Sequence, residues 1–548
     1  MKNLLEIDAL SIQIGDTSLV DSVCFSLNAN KTLALVGESG SGKSLTALSL
    51  VGLLPKQASV SAKKLRFEAQ SLLEIKEAHW RTIRGRQIGM VFQEPQSSLN
   101  PSMRCGKQLL EVLQLHAPKN KNPKSTVLEV FDQVQLPDPN RIFQAYPHEL
   151  SGGQKQRVMI AMALICEPKL LICDEPTTAL DATVQKEILI LLKQLQQQNK
   201  MGILFISHDL GMVKNTADDV VVMQHGKIVE QGPTYRVFTN PKHPYTKGLL
   251  SARPPIDRRP LQLITLNDFQ NNTIITAEET KAARLSRHEL LYSQTPLLRV
   301  EKISKAYPQK GYFWQKKEAI QVLDPINFNI YPGETLGLVG ESGSGKSTLA
   351  RSLSQLIPPS TGTAYFEEKA VHRKTATERK ILAQNIQYIF QDPYAALHPK
   401  KKLGHMLTEV LEMYAEPKPE KRVDELLTQV GLDPNMRDRY PHQLSGGQRQ
   451  RAVIARALAP NPKLIICDEA VAALDISVQA QVLNLLNQLK KDLQLSYLFI
   501  SHDLAVVRYM ADRILVLNQG KMESLQEADD LYKNPKTPYI TKLIDAAL

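Results

Sequence analysis

The chain repeats four sequence segments at long range, and this repeat limits its fold more than any other feature. The pairs are Gly37–Ser44 with Gly340–Ser347, Leu150–Arg157 with Leu444–Arg451, Ile172–Glu175 with Ile466–Glu469, and Phe205–Leu210 with Phe499–Leu504. The first pair is 303 residues apart, and the other three are each 294 residues apart. The second copy therefore has extra residues upstream, including a stretch around 308–317. The 548 residues consist almost entirely of two copies of one domain.

The segment between the two copies sets the domain boundaries. We predict a first domain at 1–250, a connecting segment at 251–296 and a second domain at 297–548. The connecting segment opens with Arg253–Pro260, whose prolines exclude a regular helix or a central strand. Thr276 and Glu279 have the spacing of a capping box, which predicts a short helix through Leu290.

Each domain alternates short apolar strands with longer helical stretches. The clearest predicted strands are Thr32–Val36, Lys169–Cys173 and Gly202–Ile206, with Thr335–Val339, Lys463–Cys467 and Ser496–Ile500 as their counterparts. Strands that are separated by helical crossovers are typical of a parallel sheet with helices on its faces. The predicted fold class is therefore α/β.

Composition excludes several classes of protein. Hydrophobic residues make up 43% and charged residues 22% of the chain, so a disordered or collagen-like protein is excluded. No apolar run is long enough to cross a bilayer, and Met1–Leu10 does not resemble a secretory signal. The five cysteines show no CxxC spacing, which predicts a reducing, cytoplasmic setting without a zinc site. A net charge of +11 is mild for this length and does not by itself indicate a nucleic-acid partner.

The repeated octapeptide has the pattern of a phosphate-binding loop. Gly37, Gly42, Lys43 and Ser44 follow an apolar strand and precede a helical pattern at Leu45–Leu54. In such a loop the backbone N–H groups surround phosphates, the lysine reaches the β- and γ-phosphates, and the hydroxyl ligates Mg²⁺. The candidate nucleotide-binding residues are Gly37, Ser39, Gly40, Gly42, Lys43, Ser44 and Leu45, with Gly340, Ser342, Gly343, Gly345, Lys346, Ser347 and Thr348 as their counterparts.

Acidic and histidine residues follow other predicted strands of both copies. Asp174 and Asp468 end apolar strands, where a carboxylate would point toward the metal. Glu175 and Glu469 would orient or deprotonate the attacking water, and His208 and His502 would contact the γ-phosphate. Gln93 and Gln391 are candidate ligands of Mg²⁺ and of this water. Paired acids also cap helices and lone histidines are often structural, but the adjacent phosphate loop favours the catalytic interpretation.

A second small-residue turn precedes a helical run in each domain. The first copy has Ser151, Gly152 and Gly153 before a predicted helix at Gln154–Leu164, and the second copy has Ser445, Gly446 and Gly447. A helix that starts in this way is another anion-binding site. Because one domain does not need two such sites for one nucleotide, we infer that each turn serves the nucleotide held by the other domain.

In this order of motifs, the chain resembles tandem ATP-binding-cassette (ABC) proteins over nearly its full length. The resemblance implies two P-loop domains, each with a mixed sheet core and a helical subdomain, packed head to tail around two ATP molecules with Mg²⁺. Lys43 and its site would face Ser445 and Gly447, while Lys346 and its site would face Ser151 and Gly153. Asp181 and Asp475 would communicate across the interface. Because both copies have every hydrolytic residue, two competent ATPase sites are expected.

The two copies differ at the residue that the family usually stacks on adenine. Tyr307 fits this position in the second copy, whereas the first copy has Ile14. Stacking of a base on an aromatic ring is worth about 1–3 kcal/mol. We therefore expect weaker nucleotide binding at the Lys43 site.

The tails Asn240–Pro254 and Asn534–Ala546 resemble those of ATPases from oligopeptide, dipeptide and nickel importers. A chain with two such ATPases resembles the ATPase subunit of the Yej-type importers of oligopeptides and peptide antibiotics. This resemblance implies a peripheral ATPase on the cytoplasmic face of the inner membrane, with one chain per transporter. Its partners would be two permeases, docked beside Gln93 and Gln391, and through them a periplasmic peptide-binding protein. No nucleic acid and no iron–sulfur cluster are expected.

Three other functions match part of this pattern. A tandem ATPase of a nickel or sugar importer has the same architecture, although sugar importers usually have one degenerate site. A ribosome-associated translation factor also has two cassettes, but it joins them through a long charged hairpin rather than a short proline-containing segment. A DNA-repair or chromosome ATPase needs zinc-finger or coiled-coil insertions, which the sequence lacks.

Overall fold

The computed structural model of the chain describes residues 3–93, 98–117, 121–177, 180–271, 273, 277–308, 319–372, 375–472 and 474–547. The strands of the first domain are β1 (Asn3–Ile14), β2 (Thr17–Asn28), β3 (Thr32–Val36), β4 (Ala58–Ser61), β5 (Lys64–Phe67), β6 (Gln70–Ser71), β7 (Ile88–Val91), β8 (Leu170–Asp174), β9 (Gly202–Ser207), β10 (Asp219–Gln224) and β11 (Lys227–Pro233). The strands of the second domain are β12 (Leu298–Tyr307), β13 (Ile320–Ile330), β14 (Thr335–Val339), β15 (Thr361–Phe366), β16 (Lys369–Ala370), β17 (Ile386–Ile389), β18 (Leu464–Asp468), β19 (Ser496–Ile500), β20 (Arg513–Asn518) and β21 (Lys521–Glu527).

Each domain has a six-stranded sheet at its centre. The strand order is β11-β10-β3-β9-β8-β7 in the first domain and β21-β20-β14-β19-β18-β17 in the second. All neighbouring strands run parallel except the last hairpin, which makes both sheets mixed. The six predicted strands are all present, and each of their ends lies within one residue of the prediction. The structure therefore confirms the α/β fold class.

A smaller antiparallel sheet covers one face of each central sheet. Its order is β2-β1-β5-β6, with β4 also paired to β1, in the first domain, and β13-β12-β15-β16 in the second. Alternate residues of β8 face opposite sides: Leu170 and Ile172 pack with the antiparallel sheet, whereas Leu171 and Cys173 pack with helices. Burial on both faces explains why the central strands are continuous apolar runs.

Most helices pack on the other face or form a separate group between β7 and β8, and again between β17 and β18, whereas Lys43–Leu50 and Lys346–Leu353 pack with the antiparallel sheets. The helices of the first domain are Lys43–Leu50, Glu77–Ile83, Cys105–His116, Pro123–Gln133, Pro139–Gln144, Gly152–Leu164, Ala182–Asn199, Leu210–Thr216, Thr234–Thr239 and Pro244–Ser251, with a 3₁₀ turn at Pro147–Glu149. Those of the second are Lys346–Leu353, Ala376–Asn385, Pro393–Ala396, Leu403–Met413, Pro419–Gln429, Gly446–Leu458, Ile476–Leu493, Leu504–Met510, Ala528–Lys533 and Pro538–Ala547, with 3₁₀ turns at Pro434–Asp438 and Pro441–Gln443. No helix in the described part of the chain is long and apolar enough to cross a membrane.

Two of these helices begin earlier than the sequence predicts. The helix after the phosphate loop covers Lys43–Leu50 rather than Leu45–Leu54. The helix after the second small-residue turn begins at Gly152 rather than at Gln154. Both start within the glycine-containing motif because the loop residue before each helix already acts as its N-cap. The motif lysine Lys43 and the glycines Gly152 and Gly153 therefore belong to the first helical turns.

The connecting segment packs against the second domain. It contains the helices Leu266–Gln270 and Lys281–Tyr292. Thr280 caps the longer helix by accepting a hydrogen bond from Ala283 N, while the predicted cap Thr276 lies outside the described residues. Leu263 exchanges backbone hydrogen bonds of 2.9 and 2.8 Å with the Asn484 side chain. Leu263 and the helix Lys281–Tyr292 thus lie on the second domain, whereas Leu266 packs in the core of the first domain, so the segment contacts both domains.

The two domains contact each other reciprocally. Ser39 N, in the first phosphate loop, donates to Asp475 Oδ1 of the second domain at 3.0 Å. Ser342 N, in the second phosphate loop, donates to Asp181 Oδ2 of the first domain at 3.2 Å. The phosphate loop of each domain therefore faces the turn before a long helix of the other, which is a head-to-tail arrangement. The extra stretch of the second copy falls largely at 309–318, outside the described residues.

Candidate nucleotide sites

The phosphate loops follow β3 and β14 and end in the helices at Lys43 and Lys346. Gly42 and Gly345 are the N-caps of these helices and have φ of 97° and 101°, where a side chain would be strained. A Cβ atom on Gly37 would lie 2.2 Å from the Met223 carbonyl oxygen, and one on Gly340 would lie 2.2 Å from that of Leu517. The glycine spacing therefore follows from backbone conformation and close packing, and it leaves the first N–H groups of each helix for an anion.

The lysine of each loop is buried and holds the loop together. Lys43 Nζ donates to the carbonyls of Gly37 and Glu38 at 2.8 Å each. Lys346 Nζ donates to those of Gly340 and Glu341 at 2.8 and 2.9 Å. Burial lowers the pKa of both lysines, although nearby acids act against it. An ammonium group with neutral carbonyl partners in a buried loop is well suited to an anionic phosphate.

A hydroxyl and a carboxylate meet at each candidate metal position. Ser44 Oγ donates to Asp174 Oδ1 at 3.1 Å, and Ser347 Oγ donates to Asp468 Oδ1 at the same distance. Burial raises the pKa of both aspartates. Oxygen atoms of this kind are the ligands that Mg²⁺ prefers. The donor set thus fits Mg²⁺ in both domains.

The structure brings the predicted glutamine, glutamate and histidine together in both domains. Gln93 Nε2 donates to Glu175 Oε2 at 2.8 Å, and His208 Nδ1 lies 3.1 Å from Glu175 Oε1. In the second domain, Gln391 Nε2 lies 2.6 Å from Glu469 Oε2, and His502 Nδ1 lies 3.8 Å from the same oxygen. A carboxylate oriented by an amide and an imidazole can accept a proton from water.

The backbone and the local charges also favour this arrangement. Glu175 and Glu469 have φ of 48° and 51°, a strained conformation that recurs at functional sites. Burial would lower the pKa of His208, but its hydrogen bond to Glu175 and the charges of Glu175, Asp475 and Asp209 raise it overall. Burial and the Glu469 contact act on His502 in the same way, and its pKa is also raised. The carboxylates of Glu175 and Glu469 therefore stabilise the charged form of these histidines relative to the neutral form.

The second anion-binding turn of each domain is an exposed helix start. Ser151 Oγ accepts a hydrogen bond from Gln154 N, and Ser445 Oγ accepts one from Gln448 N, both at 3.3 Å. A Cβ atom on Gly153 would lie 2.8 Å from Val184, and one on Gly447 would lie 2.4 Å from Val478. The absence of a side chain on Gly153 lets its turn pack against the helix Ala182–Asn199, and Gly447 does the same with the helix Ile476–Leu493. Contact of these turns with the nucleotide of the other domain stays a prediction.

A cavity of about 700 Å³ lies between the two domains. Its walls include Lys346 and Ser347 from the second phosphate loop and Asp181 from the first domain. His208 and His502 also line it. Some residues of both predicted sites, Glu175 and His208 of the first domain with Lys346 and Glu469 of the second, therefore face a common space, whereas Lys43 and Ser151 are not among its lining residues.

Three tyrosines at these sites are not among the predicted site residues. Tyr388 Oη donates to Asp468 Oδ2 at 2.5 Å, and Met90 stands at the matching position of β7 in the first domain. Tyr245 and Tyr539 accept hydrogen bonds from the phosphate loops. The repeated Pro-Tyr of the two tails was the available signal for the second pair. Nothing in the local sequence indicates the contact of Tyr388.

The two residues that the prediction of adenine stacking compares, Ile14 and Tyr307, lie at equivalent positions of the two domains. Ile14 is the last residue of β1, and Tyr307 is the last residue of β12. Tyr307 is 40% exposed, and Lys305 Nζ lies over its ring at 5.1 Å from the ring centroid. The stacking itself stays a prediction.

Exchange of these two residues tests the prediction. Tyr307→Ile is expected to weaken ATP binding at the Lys346 site by about 5- to 100-fold, since stacking is worth about 1–3 kcal/mol. Ile14→Tyr is expected to strengthen binding at the Lys43 site. Each site is titrated with a fluorescent ATP analogue after the other is silenced by a lysine-to-alanine substitution. Equal affinities at the two sites of the parent chain would contradict the prediction.

Comparison with known proteins identifies the family of each domain. The family model described as "ABC transporter" matches residues 20–178 and 323–472, one match in each domain. The model described as "Oligopeptide/dipeptide transporter, C-terminal region" matches residues 229–278 and so crosses the predicted boundary at residue 250. A dimeric structure described as a bacterial ABC transporter cassette is 30% identical, covers 42% of this chain and 98% of its own, and has a TM-score of 0.38.

Several relatives match over almost the whole chain. The glutathione import ATP-binding protein GsiA of Escherichia coli O157:H7 is 42% identical over 99% of this chain and 89% of its own. Proteins of the same name from Pectobacterium atrosepticum and Salmonella typhimurium are 40% and 41% identical, each over 100% of this chain and 89% of its own. From these matches, the chain is an ATP-binding protein and ATPase that belongs to the ABC transporter family.

Proposed function

We propose that this chain is the ATP-hydrolysing subunit of an importer of oligopeptides or dipeptides. The observation that carries the proposal is the match of the whole chain to glutathione import ATPases, together with the oligopeptide/dipeptide transporter region at 229–278. Glutathione is itself a tripeptide. A peptide-like solute is therefore favoured over nickel or a sugar.

The predicted site residues have definite roles in this proposal. Lys43 and Lys346 bind the β- and γ-phosphates, and the backbone N–H groups of the loops hold the rest of the anion. Ser44 with Asp174, and Ser347 with Asp468, hold Mg²⁺. When bound, Mg²⁺ neutralises charge on the phosphates.

Hydrolysis itself is assigned to the glutamate and histidine of each domain. Glu175 and Glu469 accept the proton of the attacking water, and His208 and His502 hold these carboxylates and contact the γ-phosphate. Gln93 contacts the oxygen of Glu175 that His208 leaves free, and Gln391 contacts the same oxygen of Glu469 as His502 does. Ligation of the metal by these amides remains part of the proposal.

ATP would close the two domains and hydrolysis would reopen them. In a closed arrangement, Ser445 and Gly447 complete the Lys43 site, and Ser151 and Gly153 complete the Lys346 site. The contacts of Asp475 with Ser39 and of Asp181 with Ser342 already align the domains for this movement.

The partners in this proposal are two permeases and, through them, a periplasmic peptide-binding protein. One chain supplies both ATP sites, so one chain per transporter is sufficient. The chain would sit peripherally on the cytoplasmic face of the inner membrane. The described connecting residues contain two short helices, at Leu266–Gln270 and Lys281–Tyr292, rather than the long hairpin of a ribosome-associated factor.

Gentle membrane fractionation of the tagged chain from its own host tests this proposal. We expect two multi-span permeases to co-purify and to remain bound in a salt wash. We also expect deletion of the chain to reduce uptake of labelled glutathione or dipeptides, with nickel and sugar uptake unchanged. Recovery with ribosomes and without a permease would contradict the importer, and loss of nickel or sugar uptake alone would contradict the peptide solute.

A further inference from the structure

The tail of each domain returns to the phosphate loop of the same domain. Both tails contain the sequence Asn-Pro-Lys-x-Pro-Tyr, at Asn240–Tyr245 and Asn534–Tyr539. The tyrosine is the second residue of a helix, Pro244–Ser251 in one domain and Pro538–Ala547 in the other. Tyr245 is buried at 4% exposure, although it lies about 200 residues from the loop that it touches.

Each tyrosine hydroxyl accepts a hydrogen bond from the phosphate loop backbone. Glu38 N donates to Tyr245 Oη at 3.0 Å, and Glu341 N donates to Tyr539 Oη at 3.0 Å. Glu38 and Glu341 directly follow the first glycine of their loops, and their carbonyls accept from Lys43 and Lys346. In each loop the same glutamate is therefore held twice: its backbone N–H by the tyrosine and its carbonyl by the lysine.

The environment keeps the hydroxyls neutral. Burial, with the charges of Glu38 and Asp475, raises the pKa of Tyr245. Burial also raises the pKa of Tyr539 to about 12. A protonated hydroxyl can accept from the loop and still donate: Tyr539 Oη also lies 3.4 Å from the carbonyl oxygen of Leu517, the residue packed closely against Gly340.

The carboxylates of the two loops differ in their partners. Glu38 accepts from Ser477 Oγ of the second domain, so the first loop is joined to its own tail and to the opposite domain. Glu341 instead lies 3.6 Å from Lys542 Nζ of its own tail, where the first tail has Gly248. Both loops therefore share the tyrosine contact, although the contacts of their carboxylates differ.

We propose that Tyr245 and Tyr539 are positioning residues of the phosphate loops, through which the tail of each domain sets the ATP affinity of that domain. A buried loop N–H without an acceptor costs free energy, so loss of the tyrosine hydroxyl favours a shift of the loop backbone toward another acceptor. Because the neighbouring N–H groups and the lysine bind phosphates, such a movement weakens nucleotide binding. The inference rests on the proposed assignment of Lys43 and Lys346 to the ATP phosphates.

Tyr245→Phe and Tyr539→Phe in the full chain test this inference because they remove the hydroxyl and keep the ring. Tyr245→Phe is combined with Lys346→Ala, and Tyr539→Phe with Lys43→Ala, so that one site is measured at a time. The probe is trinitrophenyl-ATP, displaced by MgATP. We expect the dissociation constant of MgATP to rise about three- to tenfold in each case, with the thermal midpoint within about 3 °C of the parent.

Two further tyrosines provide matched controls. Tyr235 is 75% exposed on the helix Thr234–Thr239, and Tyr532 has a buried hydroxyl without a hydrogen-bond partner in the described part of the chain. Their phenylalanine variants are expected to bind MgATP like the parent. Hydrogen exchange in the peptides that contain Glu38 or Glu341 should become faster in the positioning variants and not in the controls.

The outcomes separate this inference from the proposed function. If Lys43→Ala and Lys346→Ala together leave binding intact, the assignment of the phosphate loops is wrong. If they abolish binding but Tyr245→Phe and Tyr539→Phe change neither affinity nor loop exchange, the positioning role is wrong. A lowered thermal midpoint with unchanged affinity would assign the tyrosines a purely structural role and would also overturn the inference.

Discussion

Replacing Glu175 and Glu469 together by glutamine is expected to lower ATP hydrolysis about 10²- to 10⁴-fold while ATP still binds. Glutamine has nearly the same shape as glutamate, but it cannot accept the proton of the attacking water. Gln93 and His208 contact different oxygens of Glu175 and so hold its carboxylate in one orientation, whereas Gln391 and His502 both approach Oε2 of Glu469. Phosphate release by the purified chain measures hydrolysis, and fluorescent ATP titration measures binding.

Single variants show whether the two sites act independently. Glu129→Gln, on the exposed side of the helix Pro123–Gln133, is the matched control and should keep parental hydrolysis. If each of the two sites contributes separately, either single variant retains about half of the activity. Near-parental hydrolysis in the double variant would refute the role of these glutamates as proton acceptors. Loss of ATP binding in the double variant would show a structural role instead.

Asp512→Asn is expected to destabilise the second domain by about 3–5 kcal/mol, because it removes the buried carboxylate that Arg287 and Lys490 contact. Asp512 is almost fully buried and accepts from Thr335 N at 2.9 Å. Its other contacts are Arg287 at 2.5 Å, Lys490 at 3.0 Å and His288 at 3.3 Å. Pulse proteolysis in urea, with fragments identified by mass spectrometry, reports each domain separately.

The internal repeat supplies a matched control for this substitution. Asp218 occupies the equivalent position of the first domain and accepts from Thr32 N, but its side chain is 38% exposed and it pairs with Lys31, which is itself 50% exposed. An exposed ion pair of this kind is worth about 0–1 kcal/mol, so Asp218→Asn should cost much less. Equal effects of the two substitutions would contradict the explanation.

The acid dependence of stability follows from the same charges. Burial acts to raise the pKa of Asp512, but Lys490, His288 and Arg287 hold it well below the ordinary value of 3.8. A carboxylate with a depressed folded pKa contributes its full stabilisation above its unfolded pKa and loses it as the pH falls. The difference in stability between the parent and Asp512→Asn should therefore be constant near neutral pH and shrink below about pH 4.

Most of each nucleotide site could be predicted because its signals are local. The phosphate loop, the strand-ending Asp174 and the helix start at Ser151 each depend on a few consecutive residues whose conformation follows from glycine, capping and strand burial. The strand ends were correct to one residue for the same reason. Helix starts were less accurate, since capping residues of a glycine-rich turn already belong to the helix.

The contacts between distant segments could not be predicted in the same way. Arg284, Arg287 and His288 look like an ordinary polar helix face, yet they surround Asp512 and attach the connecting segment to the second domain. Tyr388 on Asp468 distinguishes the two otherwise equivalent metal positions. Such pairs depend on which elements pack together and on the direction of each side chain.

The sequence by itself determined that there are two copies of one α/β domain, which residues form their phosphate loops and acidic strand ends, and that the chain resembles ABC ATPases. Those properties follow from residue types at short, fixed spacings. Only the tertiary structure decided that Asp475 and Asp181, both expected at the interface, accept hydrogen bonds from the opposite phosphate loops, that Tyr245 and Tyr539 accept from their own loops, and that Leu263 of the connecting segment binds Asn484 of the second domain. These contacts join residues about 160 to 440 positions apart, where burial and side-chain direction, rather than local conformation, determine the partners.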